Sequence, residues 1–329
     1  MGNKLKSLAS ILVPILLGLG LTIYSYNSFS EKQLAQMKSF FVSANYNYVM
    51  LSLLLAVVGY VLRAYRWKYT INQIGYKSDF TLNFLAVSVG YFVNLSIPRS
   101  GEVSRALILK KYQNVPFDKA FGTIIAERIV DMLVLLFFIG TALIVEFETL
   151  KNFILDYIPV QKLIILFIIG CVGFLSVIYF YFYSTWGFIT MLKSKVQGLK
   201  EGAMSIFRLE NKWAFIIYTL LIWISYMLMF YTTTFALKET ESISLGTTLV
   251  AFVIGSLIIA FTNGGFGFFP IIIAKIFFLY NIPLEAGNAF GWIVWTSQLI
   301  ITVVLGILAF AVLPLLRKRF NALADISIS

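Results

Sequence analysis

Two short sets of charged residues lie where the surrounding sequence is almost wholly apolar, and they are the residues best placed to do chemistry. The first is Arg99, Glu102 and Arg105, in the stretch NLSIPRSGEVSRALILKK; the second is Glu127, Arg128 and Asp131, in AFGTIIAERIVDML. At about 3 kcal/mol for each charge carried into a bilayer, none of the six is tolerable alone. They must pair with one another or face water. On a helix, Glu127 and Asp131 share a face at a spacing of four, and Arg128 neighbours Asp131 at three, as Glu102 does Arg105. Arginine's planar fork binds two phosphate oxygens at once, and a helix starting near Glu102 would aim its N-terminus at an anion. One reading therefore makes Arg99 or Arg105 the ligand of a lipid phosphate, with Glu127 and Asp131 balancing charge when the site is empty. The other is a structural salt-bridge network that fastens one helix to the next.

Composition excludes most other chemistry. The chain has no histidine and a single cysteine, Cys171, inside an apolar run. A histidine-based triad, an intrachain disulfide and a CxxC metal site are thereby excluded, and no metal or cofactor is expected. No GxxxxGK[ST] phosphate loop occurs. The formal net charge of +11 would suggest nucleic acid in a soluble protein, but here the basic residues gather in short loops between apolar runs. That is the positive-inside pattern of a membrane protein, and nucleic-acid binding is not expected.

The elements that must position the charged sets follow from hydropathy. Of 329 residues, 60% are hydrophobic and 12% charged, about half the charge of a soluble domain. Apolar runs recur over 11–24, 48–61, 80–97, 120–145, 163–183, 213–236, 245–261, 266–280 and 290–316, several near the roughly 20 residues of a spanning helix. If 80–97 crossed the bilayer fully, Lys110, Lys111 and Lys119 would lie outside, against the charge rule. A re-entrant hairpin removes the conflict: it enters from the cytoplasm, turns at Pro98-Arg99-Ser100-Gly101 and returns through Glu102–Leu109. Proline breaks the helix and glycine tolerates unusual dihedrals; such backbone survives at membrane depth only inside protein or beside a water-filled cavity. A second hairpin over 245–280 turns at Thr262-Asn263-Gly264-Gly265. The expectation is an all-α polytopic protein of about six spanning helices and two hairpins. It forms one integral membrane domain over 1–329, whose halves, about 1–158 and 159–329, are inverted repeats, the design that places substrate between broken helices. Ala120-Phe121-Gly122 and Ala289-Phe290-Gly291 recur after the two hairpins.

The expected location is the cell (inner) membrane, with both termini cytoplasmic and the first apolar run an uncleaved span, since no small-residue cleavage site follows it. Asn94 and Asn263 near the turns are placed to satisfy freed backbone groups, and Gly264 and Gly265 to shape the second tip; all four border the candidate substrate site. Lys275 is expected to snorkel to the interface. Arg63, Arg66 and Trp67 read as an interfacial anchor. Glu285 and Gln298 read as a loop charge and a helix–helix hydrogen bond.

The motifs SIPRSGEVSRALIL, AFGTIIAERIVDML and TNGGFGFF together resemble the transmembrane region of lysylphosphatidylglycerol synthases and their standalone relatives. The patterns P-R-x-G-E-x-x-R and E-R-x-x-D carry most of the resemblance, which runs from about Tyr48 to Leu316. It implies a flippase-type region that moves an aminoacylated lipid between leaflets. Lipid aminoacylation itself belongs to a separate soluble domain, for which this chain has no room. The family usually has a proline before the second-half glycines and an acidic residue after them; here Thr262-Asn263 precede and Phe268-Phe269-Pro270 follow.

These readings converge on a transporter, not an enzyme. It would carry a phospho- or glycolipid with an anionic headgroup between leaflets, with carboxylates available for proton coupling and a homo-oligomer left open. The alternatives are an intramembrane lipid-modifying transferase and a non-transporting scaffold.

Overall fold

A computed structural model describes residues 16, 18–20, 22–97, 99–149, 151, 179, 209–262 and 264–326, with side chains to residue 316. Pro98, Asn263, Cys171, the expected span at 163–183 and most of the loop before Lys212 lie outside the described residues. The described chain is helical without strands. After a helical segment ending at residue 28 come α1 (Glu31–Ser43), α2 (Tyr46–Gln73), α3 (Phe80–Ser96), α4 (Ser100–Gln113) and α5 (Phe117–Val145). The second part holds α6 (Lys212–Thr234), α7 (Leu245–Phe261), α8 (Phe268–Leu279) and α9 (Leu284–Ile326). Among the described residues, four helices are long and apolar enough to cross a membrane: α2, α5, α6 and, over Leu284–Leu316, α9. The chain is a multi-pass membrane protein.

Each part repeats one order, a long helix, two short ones and a long one. The short helices are the expected hairpins. At 1.5 Å per residue, α3 is about 25 Å long and α4 about 21 Å, short of the ~30 Å apolar thickness of a bilayer. Asp79 caps α3, its carboxylate accepting from the Leu82 amide at 2.9 Å, and Ser244 caps α7 by accepting from Thr247 at 3.0 Å. At the first tip Arg99 takes a left-handed conformation (φ 63°), and Asn94 Oδ1 accepts from the Gly101 amide at 2.7 Å. Asparagine here replaces the backbone partner that the broken helix lost. Gly101 is required by contact: a Cβ there would collide with the Gly90 carbonyl oxygen on the facing helix. The second tip uses another device. Gly264, Gly265 and Gly267 all have positive φ, Trp295 donates to the Gly264 carbonyl at 2.8 Å, and Gly267 lies against the backbone of Gly18.

Among the described residues two large apolar cores result, beside a small cluster of Leu209 and Phe215. One joins α2–α5 around Trp67, Leu82, Leu109 and Ile124; the other joins α6–α9 around Phe252, Phe269, Ile273 and Phe290. The last helix belongs to both. Near its start Gly287 and Gly291 meet Ala274 and Pro270 of α8, and farther along Gly306 meets Phe92 of α3. It thus braces both hairpins, while α2 and α6 pack closely along one another.

Candidate functional site

The charges converge where α2, α4, α5 and α6 meet. Asp131 on α5 is the hub. It accepts from Arg66 at 2.7 and 3.2 Å and from Arg63 at 2.9 Å, and Arg128 lies 3.5 Å away one turn earlier. Arg66 is wholly buried, donates also to Thr219 on α6 at 3.1 Å, and lies over the Phe215 ring. Glu127, 1% exposed, accepts from Arg105 of the hairpin at 2.9 Å, and Glu102 pairs with Arg128 at 3.2 Å. Two ion pairs therefore fasten α4 to α5, and three arginine–carboxylate contacts fasten α2 to α5.

A hydroxyl chain extends the cluster. Arg63 Nε donates to the Tyr226 hydroxyl at 2.7 Å, which meets the Tyr91 hydroxyl at 3.1 Å. The Tyr91 ring packs on Tyr60, whose hydroxyl reaches Thr302 of α9 at 3.0 Å. Aromatic faces hold the cations as well: Arg105 lies 4.0 Å from the Trp67 ring centroid, and Arg63 lies between Tyr91 and Tyr226. Trp67 itself is fixed by donating to Thr123 at 2.9 Å. Such contacts lower the cost of keeping guanidinium groups out of water.

Arg63, Arg66 and Trp67 are thus not an interfacial anchor. All three are buried, and the two arginines are the chief partners of Asp131. A signal for this existed in the sequence. Ser52, Ala56, Gly59, Arg63 and Thr70 recur at helical spacing along one stripe of α2, so the small, tightly packed face continues into the charged residues. Arg99, in contrast, stays apart. It is exposed at the hairpin tip and makes no ion pair among the described residues. Glu102 and Arg105, expected as neighbours, each reach across to α5 instead. Lys275 is exposed on α8. Gln33 donates to Glu285, which ties α1 to the start of α9. Gly264 and Gly265 serve the turn of the second hairpin, away from the charges.

The network is not fully satisfied. Arg63, Arg66, Arg105 and Arg128 face Glu102, Glu127 and Asp131, one formal positive charge in excess. Buried Arg105 Nε and Glu102 Oε2 have no hydrogen-bond partner. Both residues line a cleft with Tyr91, Asn94, Gly101 and Arg128. The cleft measures about 10 Å³, room for one water molecule. Arg128, with 36% of its side chain exposed, is the group by which the cluster meets its surroundings. The arrangement can bind an anion and hold two helices in register. Among the described residues no group of side chains is set to hold a metal ion.

Comparison with known proteins places these residues in a family. Residues 11–306 match the family described as the lysylphosphatidylglycerol synthase TM region. The UPF0104 membrane protein MJ1595 of Methanocaldococcus jannaschii is 34% identical over 143 residues, 41% of this chain and 43% of that protein. Glycosyltransferase AglD of Haloferax volcanii is 28% identical over 89 residues, 27% of this chain and 14% of that protein. The matches thus span less than half the length of either relative. No solved structure matches the chain. With nearly the whole chain matched, and with the P-R-x-G-E-x-x-R hairpin packed on the E-R-x-x-D helix, the protein belongs to the lysylphosphatidylglycerol synthase transmembrane-region family.

Proposed function

We propose that the protein carries a phosphate-bearing lipid between the leaflets of the cell membrane, its headgroup held at the cleft between the first hairpin and α5. The observation behind this reading is the buried, unpartnered Nε of Arg105, beside half-exposed Arg128, in a cluster with excess positive charge. A buried donor left unmade costs about 1–3 kcal/mol, and an anionic headgroup would satisfy it. The cleft as seen is too small for phosphate. Loading therefore requires the Glu102–Arg128 pair to part, after which Arg128 turns to the ligand. Glu102, whose second oxygen lacks a partner, is the carboxylate that this opening would release. Family membership supports a role with membrane lipid, and moving the lipid, not transforming it, is the activity proposed. The two halves then have opposite orientation, with both termini cytoplasmic, so that the hairpins enter from opposite sides.

A second reading, a charge-latched scaffold without transport, is favoured by Asp131, whose oxygens are saturated by arginines. Proteoliposomes containing NBD-labelled phosphatidylglycerol, read by dithionite quenching, separate the two. Wild type should accelerate lipid exchange over protein-free vesicles, and Arg128→Gln should lose at least tenfold of that gain while keeping its thermal unfolding temperature. Equal exchange by wild type, Arg128→Gln and empty vesicles would leave the scaffold.

A further inference from the structure

A cavity of about 570 Å³ lies far from the charged cluster, between the N-terminal segment, α1 and the second hairpin. Its walls include Phe29, Leu34 and Phe41 on one side and Ile271 and Trp292 on the other. Its size is that of a pocket for a small molecule, and its walls are those of an apolar one. One polar side chain is buried in it: Asn288, 2% exposed, has no hydrogen-bond partner among the described residues. Lys38, exposed on α1, stands at the margin and makes no ion pair among the described residues. The helix that closes the cavity is held by design: a capping box at Ser30 and Gln33 starts α1, and Gln33 also bonds Glu285 at the start of α9. Gly267 of the hairpin tip forms part of the lining and admits the backbone of Gly18 beside it.

We infer that this cavity binds the aliphatic chain of an anionic amphiphile, with the chain among Phe29, Phe41, Ile271 and Trp292, an ester or carboxylate oxygen accepting from the Asn288 amide, and the negative head at Lys38. In a bilayer, an apolar void of this kind takes up chains, not water. The unpartnered amide marks where the chain must carry an oxygen, and Lys38 marks the sign of its head. The site adds a second lipid contact to the reading above, but its occupancy does not require transport.

The test is equilibrium binding to the full chain in detergent micelles, with 9,10-dibromostearate as probe and quenching of tryptophan fluorescence as readout. Wild type should show saturable quenching that stearate reverses at lower concentration than monostearin, the same chain with a neutral head. Lysophosphatidylglycerol displacing the probe better than stearate would name a phospholipid as the source, and the reverse a free fatty acid. Ile271→Trp and Ala35→Trp fill the cavity from opposite walls, and each should weaken binding at least tenfold; Asn288→Leu should weaken it several-fold. Lys38→Gln, an exposed change that folding tolerates, should abolish the preference for stearate over monostearin. Absence of saturable quenching in wild type, unchanged affinity in a folded cavity-filled variant, or an undiminished stearate preference in Lys38→Gln would each overturn the proposal. Because no step measures exchange between leaflets, failure here leaves the transport assay unaffected.

Discussion

The two hairpins solve one backbone problem with different chemistry. Both break a helix inside the protein and return it beside its partner. The first does so with Asn94 bonding the Gly101 amide and with a Gly90–Gly101 contact so close that no side chain fits. It is then pinned to α5 by Glu102–Arg128 and Arg105–Glu127. The second tip has three glycines at positive φ and no charge, is held by Trp295, and borders a wide apolar cavity where the first borders a cleft of one water's size. The two hairpins thus share an order of helices and differ in what they touch: one lies against buried charges, the other beside an apolar cavity. The side chains around each break, not the break itself, set that difference.

The comparison predicts unequal sensitivity. Asp131→Asn should have the largest effect, since Arg63 and Arg66 would remain buried without a full counter-charge; a buried pair broken on one side costs about 3–5 kcal/mol. Folded yield and thermal unfolding in detergent measure it. Asp131→Asn with unchanged unfolding would mean that the cluster does not hold the first half together. Next comes Gly101→Ala, which sets a methyl against the Gly90 carbonyl; forcing the helices apart costs about 1–3 kcal/mol, visible as faster proteolysis at the first tip. Gly264→Ala on the other hairpin should cost less, about 1–2 kcal/mol, because its Cβ meets nothing within 4 Å and only the left-handed backbone (φ 67°) opposes it. If Gly264→Ala proved the worse of the two, the second tip would be the tighter one and the contrast would be reversed. Smallest for stability is Arg128→Gln, which removes a partly exposed arginine from a cluster with excess positive charge and should cost about 1 kcal/mol, yet it should remove most lipid exchange. That split between folding and exchange sharpens the comparison most.

Both hairpins were legible in the sequence, because the positive-inside rule argues against a full crossing at 80–97 and glycine and proline mark the tips. The charged site was legible only in half. Glu102, Arg105, Glu127, Arg128 and Asp131 stand out as charges in apolar surroundings, but Arg63 and Arg66 end an apolar run beside a tryptophan and look like an anchor. Whether such a residue snorkels outward or turns inward depends on what faces it, and Asp131 is separated from Arg66 by 65 residues. Local helical spacing likewise favours a Glu102–Arg105 pair, and it loses to partners on α5 that lie directly across the hairpin. The cavity under α1 had no signal in the sequence, since its walls are ordinary apolar residues contributed by separate segments.

By itself the sequence determined the membrane class, the helical breaks and the need for buried charges to be paired, because hydropathy, glycine and proline act over a few residues at a time. Only the tertiary structure decided which arginine meets which carboxylate and where space is left, because pairing and voids depend on helices distant in the chain coming to lie side by side.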